Sequence, residues 1–269
     1  MPDYLKQAVK NVLLYPLDLY ELLTGKRDQL TPPKRICFGG DGDFKTIGSD
    51  FLNYFITLAD LKPNHRVLDV GCGIGRMAVP LTAYLNNDGR YKGFDIVPRG
   101  IKWCQKAIST RFPNFEFKLA DIYNNQYNPR GKYTASEYVF PYNNNSFDFV
   151  FLTSVFTHML PNDMNNYLEE IARVLKEDGR CLITFFLINE ESSAMINEGK
   201  SQRTFKYDFG DFLSIDKEVP EYAIAYHEHV IRGIFAKNYL KITEPIHYGS
   251  WCGRNNYLSY QDIIIAARS

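Results

Sequence analysis

The apolar positions change rhythm along the chain. Val9, Val12, Leu13, Leu17 and Leu22 recur near helical spacing, which predicts a helix over residues 3 to 23 that Pro16 kinks or divides. "TPPKR" and the glycine-rich "FGGDGDF" interrupt the pattern, and "FLNYFITLADL" resumes it as a second helix. Residues 1–60 therefore read as a helical extension, and 61–269 as the main domain.

From Arg66 short apolar runs alternate with amphipathic stretches. "RVLDV", "YKGFDI", "FEFKLAD", "FDFVFLTS" and "GRCLITFFLI" predict strands. "RMAVPLTAYL", "PRGIKWCQKAI" and "NDMNNYLEEIARVLK" predict helices between them, with Pro98 suited to a first helical turn. "EYAIAYHEHVIRGIFAKN" predicts one more helix, and "LKITEPIHY" and "YQDIIIAAR" the closing strands. Such alternation makes an α/β fold, a parallel sheet covered on both faces, and the wholly apolar runs fit burial on both sides. Two segments break the rhythm. Residues 122–146 are rich in Asn and Tyr and read as an extended loop, and 189–219 read as a polar insertion with a hairpin. A rigid scaffold presents functional loops of this kind.

Composition adds exclusions. Lys plus Arg and Asp plus Glu balance at 31 each, so no net charge draws the chain to nucleic acid or to an anionic membrane. The five Cys are scattered and never form CxxC, which reads as reduced thiols rather than a disulfide frame or zinc site. The charged N-terminal stretch has no secretory pattern, and no apolar run is long enough to span a membrane. The expected location is the cytoplasm, with peripheral membrane contact by the N-terminal helices left open.

The chemistry starts at "VLDVGCGIGR". Gly71, Gly73 and Gly75 follow a strand and precede a helix, where glycine lets the chain turn tightly and a ligand approach the backbone. A dinucleotide loop is GxGxxG; this one is GxGxG, with Asp69 two residues before it. An acid there repels a diphosphate but accepts from a cationic amine, such as the amino acid end of S-adenosylmethionine. The second strand ends in Asp95, 95 − 75 = 20 residues past the last glycine, where an acid can accept both ribose hydroxyls. The third ends in Asp121, placed for an adenine amino group. Cys72 lies between the glycines as a small filler and counts with the cofactor-binding set.

"VLDVGCGIGRM", "GFDI", "LAD", "FDFVFLTSVFTHM" and "LEEIARVLKEDGRCLIT" together resemble the class I S-adenosylmethionine-dependent methyltransferases, in the branch reading "RVLKPGG". The resemblance covers residues 66 to 188 in order, and the closing hairpin fits it. It implies a Rossmann-like three-layer sandwich. Its sheet would have seven strands, the last antiparallel and inserted between the fifth and sixth. It also implies that Asp69 and the glycines hold the methionine moiety and Asp95 the ribose. Ile96 would pack on adenine, Asp121 would bind its amino group, Ile122 would flank it, and Thr153 would lie near the methyl donor. "KEDG" stands where the branch has "KPGG", and keeps the turn glycine Gly179.

The methyl acceptor must then bind beyond the carboxyl ends of the strands. Two walls are candidates: "PPKRICFGGDGDF", and the last loop "HYGSWCGRNNYLSY", whose Trp251 and Arg254 could stack on and hydrogen-bond an acceptor. His158, just past the fourth strand, is the candidate general base, with His247 second. His227 and His229 stand two apart in a predicted helix, face different ways and make a poor metal pair, and no metal is expected. "LTSVF" replaces the Asn/Asp-Pro-Pro-aromatic motif of base and glutamine methylation, and the acids of a metal-dependent catechol site are missing. The expected acceptor is a small-molecule hydroxyl: a sugar, a lipid-linked precursor or a secondary metabolite. A nicotinamide-dependent oxidoreductase and a catalytically silent methyltransferase-like module are the alternatives.

Overall fold

The computed structural model describes residues 3–38 and 42–268, so the tip of the "FGGDGDF" segment lies outside the described residues. Helix α1 (Asp3–Leu23) runs through Pro16 as one element rather than dividing there. Helix α2 (Phe44–Thr57) starts earlier than its apolar pattern, because the Asp43 carboxylate accepts from Lys45 N–H and Thr46 N–H and caps it. Phe51, Tyr54 and Phe55 of α2 are buried against the sheet. This helix, expected in an appended extension, is thus built into the core.

The alternation that follows is β1 (Arg66–Val70), α3 (Ala78–Tyr84), β2 (Arg90–Asp95), α4 (Pro98–Cys104), β3 (Phe115–Leu119), β4 (Phe147–Leu152), α5 (Pro161–Val174) and β5 (Leu175–Phe185). After the crossover described next come α7 (Glu228–Lys237), β10 (Leu240–His247) and β11 (Asp262–Arg268). The seven strands lie in the order β10-β11-β5-β4-β1-β2-β3. β11 is antiparallel to both neighbours, β10 and β5, as the resemblance implied. Strand residues alternate between two cores. Val150 and Leu152 of β4 join Ile171 of α5 and Phe235 of α7, while Phe149 and Phe151 join Phe55 of α2 and Leu81 of α3. Both faces are apolar, which is why these runs lack a polar period.

The chain between β5 and α7 departs from expectation. Phe186 breaks the predicted single strand, and β6 (Leu187–Ile188) leaves the main sheet. Helix α6 (Glu190–Asn197) follows, started by an Asn189–Ser192 capping box. A short hairpin, β7 (Tyr207–Asp208) and β8 (Phe212–Ser214), comes next, then β9 (Ile224–His227). They form a second sheet in the order β6-β9-β8-β7. Residues 221 to 227 were expected in a helix. β9 instead pairs with β6 on one side and β8 on the other, and Ile224, Ala225 and Tyr226 are fully buried there. Two waiting strand edges outweigh helical spacing in a segment this short. With His227 in a strand, its ring stands 5.6 Å from that of His229 instead of facing away. Among the described residues no helix is long and apolar enough to cross a membrane.

Candidate active site

The three glycines of the β1–α3 loop all have left-handed backbone, with φ of 81° at Gly71, 55° at Gly73 and 79° at Gly75. They serve different ends. A Cβ on Gly71 would stand 2.4 Å from Val155 Cγ2, and one on Gly75 would stand 2.8 Å from Ile108 Cδ1, so both are packing positions. A Cβ on Gly73 would meet nothing within 4 Å. The backbone at Gly73 is therefore the open face of the loop, where a ligand can lie against the main chain. The Gly71 and Cys72 N–H groups donate to the Phe94 carbonyl, at 2.9 and 3.0 Å, which ties the loop to β2. The Cys72 carbonyl accepts from Gly75 N–H at 2.9 Å, and its side chain is buried against Gly93. The Cys72 side chain is a filler, as expected, and burial pushes its thiol well above the usual range.

Asp69 sits beneath this loop, 1% exposed. Tyr91 O–H donates to its Oδ2 at 2.6 Å, while Oδ1 is buried without a partner among the described residues. Burial pushes the Asp69 carboxyl up to about 8; the Tyr91 bond offsets part of this and the Asp95 charge adds to it. A buried carboxyl oxygen left without a partner is costly, and native folds rarely keep one. An ammonium is the donor that would relieve it, so the site fits the amino acid end of S-adenosylmethionine.

At the tip of β2, Asp95 Oδ2 accepts from Gly73 N–H and Oδ1 from Val97 N–H, both at 2.8 Å. Burial raises its pKa, and these backbone bonds oppose the rise. Asp95 thus sets the shape of the glycine loop, and each oxygen keeps a second lone pair for a hydroxyl. Asp121, past β3, is exposed, and its Oδ1 accepts from Lys132 N–H at 3.3 Å. Ile96 is half-buried at the edge of the core. Ile122, expected to flank adenine, is 3% exposed with its side chain in the core beside Ala120 and Phe140. Thr153 is half-buried just past β4. Ser154 follows with φ 58°; its N–H donates to Thr184 Oγ1 at 2.8 Å, and its hydroxyl is 3.0 Å from Gln261 Oε1.

Past β4, the short turn Phe156–His158 brings His158 against the turn Pro220–Tyr222 that leads into β9. Its Nδ1 lies 2.9 Å from the Glu221 carbonyl, and its ring meets Tyr127 edge-on at 6.4 Å. Burial lowers its pKa, the Glu221 carbonyl opposes this, the Arg203 charge lowers it further, and the Tyr222 carbonyl opposes. At neutral pH the imidazole is uncharged. On the opposite wall, the Arg99 guanidinium lies 4.9 Å from the Phe38 ring, and Phe38 abuts Gly100 beside the Gly73 carbonyl. The "PPKRICFGGDGDF" segment thus reaches the glycine loop through Phe38.

Trp251 and Arg254 do not line this space. Trp251 is 0% exposed, and its Nε1–H donates to Asp262 Oδ2 at 2.8 Å. Arg254 is 5% exposed and donates to Glu191 at 2.7 Å, Asn189 at 3.2 Å, and Asp262 and the Gly249 carbonyl at 3.3 Å. Both expectations are corrected for one reason: the first residue of β11, Asp262, is a buried acid that gathers these donors inward.

Residues 61–229 match a family described as "Methyltransferase domain". The chain belongs to that family. The strand order with its antiparallel β11 is the class I methyltransferase fold, and family and fold together set the dehydrogenase alternative aside. A stretch of 114 residues is 34% identical to phthiotriol/phenolphthiotriol dimycocerosates methyltransferase of Mycobacterium leprae, covering 42% of this chain and 35% of that protein. A stretch of 146 residues is 30% identical to phosphoethanolamine N-methyltransferase 3 of Arabidopsis thaliana, covering 54% of this chain and 26% of that one. The matched stretches thus span about a third of those proteins or less. The solved magnesium protoporphyrin IX methyltransferase of Synechocystis PCC 6803 shares the fold at TM-score 0.54 and 17% identity, over 95% of this chain and 99% of that one.

Several residues around this methyltransferase's candidate site gave no sequence signal. Tyr91 is the second residue of β2 and reads as an ordinary strand tyrosine, yet it is the hydrogen-bond donor to Asp69. Arg203 and Tyr260 lie 57 residues apart and meet through a 3.1 Å bond from Nε to the phenol oxygen. Only the strand order that puts β11 beside β5 could have brought them together.

Proposed function

We propose that this protein transfers a methyl group from S-adenosylmethionine to a hydroxyl of a small-molecule acceptor, with His158 as the general base. When bound, S-adenosylmethionine supplies an electrophilic methyl carbon. Asp69 would accept from its ammonium, Asp95 from the ribose hydroxyls and Asp121 from the adenine amine. Ile96 would pack on the adenine ring, and the backbone at Gly73 would admit the close approach. Thr153 would stand beside the reacting carbon.

The observation that carries the acceptor reading is the tautomer His158 is held in. The Glu221 carbonyl at 2.9 Å accepts a hydrogen bond from Nδ1–H, which in the neutral ring leaves Nε2 as the proton acceptor. Burial and the Arg203 charge keep that ring neutral. A hydroxyl is a poor nucleophile until its proton is removed, so a neutral imidazole beyond Thr153 supports oxygen as the methylated atom. The balanced charge of 31 basic and 31 acidic residues supports a small molecule over DNA or RNA.

The test is His158→Ala, assayed with radiolabelled methyl donor against a panel of sugars, lipid-linked precursors and secondary metabolites. General-base loss predicts a fall in kcat of about 100-fold or more at neutral pH, with adenosylhomocysteine affinity unchanged. Wild-type kcat in the variant would make His158 a packed residue and remove the base.

A further inference from the structure

We propose that the methyl acceptor carries an anionic oxygen group, a phosphate or a carboxylate, and that Arg203 grips it. The inference rests on the methyl-transfer reading above and deepens it by naming a substrate class.

Arg203 lies in the segment between β5 and β9, but its side chain returns to the ligand edge of the main sheet. Its guanidinium stands 5.2 Å from the Phe186 ring and 5.9 Å from the Tyr260 ring. Phe186 directly follows β5, and Tyr260 stands just before β11, where Asp262 pairs with Phe185. The next residue, Gln261, holds the Ser154 hydroxyl at 3.0 Å, and Ser154 adjoins Thr153. Arg203 therefore overlooks the same edge as Thr153, on the side from which its charge acts on His158.

Four other arginines that are buried or half-buried have an acid. Arg173 pairs with Glu170 at 2.6 Å, Arg254 with Glu191 at 2.7 Å, Arg232 with Glu228 at 2.8 Å and Arg35 with Asp18 at 2.8 Å. Arg203 has no carboxylate within ion-pair distance among the described residues. Its Nε–H is spent on the Tyr260 hydroxyl at 3.1 Å, and the two rings crowd its faces. What stays open is the two-pronged Nη1–Nη2 end, in the shape that two oxygens of one carboxylate or phosphate fit. A purely structural cation at this place would gain most from a protein acid. Leaving it without one keeps a positive charge for whatever enters between Arg203 and His158.

The experiment uses the full chain saturated with adenosylhomocysteine and titrates inorganic phosphate, acetate and, as neutral control, glycerol. Binding is read by calorimetry and thermal shift. Saturable millimolar binding of phosphate or acetate is expected, and none of glycerol. Arg203→Met keeps the aliphatic contact on Phe186 and should weaken the bound anion at least tenfold while leaving adenosylhomocysteine affinity unchanged. Tyr260→Phe removes only the hydroxyl that orients Nε and should weaken the anion three- to fivefold, which keeps the test alive if Arg203→Met misfolds. Whichever anion binds identifies the group. No saturable anion binding by the wild type, or equal binding by Arg203→Met, overturns the proposal. Should adenosylhomocysteine itself fail to bind, the methyl-transfer reading falls, and the same titrations of the ligand-free protein still judge Arg203.

Discussion

Two acids are buried at the same edge of one sheet, and they are treated in opposite ways. Asp262, at the start of β11, is 0% exposed and receives four donors. Gly249 N–H and Leu187 N–H stand at 2.6 and 2.7 Å, Trp251 Nε1–H at 2.8 Å and Arg254 at 3.3 Å. Asp69, on β1, receives Tyr91 alone at 2.6 Å and keeps Oδ1 without a partner. Burial lifts Asp262 to about 6 against the pull of its donors, and lifts Asp69 to about 8 with little to oppose it. Equal burial thus marks two trades. The first acid gathers protein donors on both oxygens; the second keeps one oxygen without a partner among the described residues.

Three experiments can break or sharpen that contrast. The largest effect is expected from Asp262→Ala. It strips the acceptor from four buried donors and leaves the Arg254 charge with only Glu191, so a loss of about 3–5 kcal/mol in urea unfolding is expected. A loss below about 1 kcal/mol would show that Asp262 is not the organiser of this wall. Asp69→Asn comes next. An amide still accepts from Tyr91, so stability should change by less than about 1 kcal/mol, while adenosylhomocysteine binding weakens at least tenfold, about 1.4 kcal/mol. Unchanged affinity in calorimetry would return Asp69 to a structural role.

The smallest effect is in the pH dependence of stability. For both acids the folded protein holds a proton that the unfolded chain gives up near the ordinary value of 3.8. Their contribution is therefore full below that pH and is lost as pH rises through the folded value. For Asp69 the loss runs from about 4 to about 8, and for Asp262 from about 4 to about 6. Thermal unfolding between pH 6 and 8 should flatten in Asp69→Asn and stay sloped in Asp262→Asn. Equal slopes in the two variants would mean that their unequal sets of donors do not separate the two acids.

Much of the fold was written locally. The apolar runs of β1, β4 and β5, the glycine loop and the acids at successive strand tips are all features of one segment each. Their order in the chain is enough to imply a parallel sheet and a ligand edge. The acceptor wall was not readable in this way. Trp251 and Arg254 looked like free recognition residues because nothing near them in sequence says that Asp262 is buried. β9 looked helical because its pairing edges, β6 and β8, are supplied by other parts of the chain. Arg203 carried no signal, since its meaning is a missing acid, and an absence in space has no sequence pattern. Local chemistry was legible; chemistry assembled by long-range pairing was not.

β11 follows every other strand of the sheet in the chain, yet it lies inside the sheet, between β5 and β10. During synthesis β5 must therefore wait with one edge open until residues 262 to 268 leave the ribosome. Until Asp262 arrives, Leu187, Gly249 and Trp251 have no common acceptor, and the wall above the ligand edge cannot set. The glycine loop, by contrast, needs only β1, β2 and β4. A nascent chain would thus shape its glycine loop well before the wall that Asp262 gathers, while holding out a bare strand edge that invites a chaperone or a neighbouring chain.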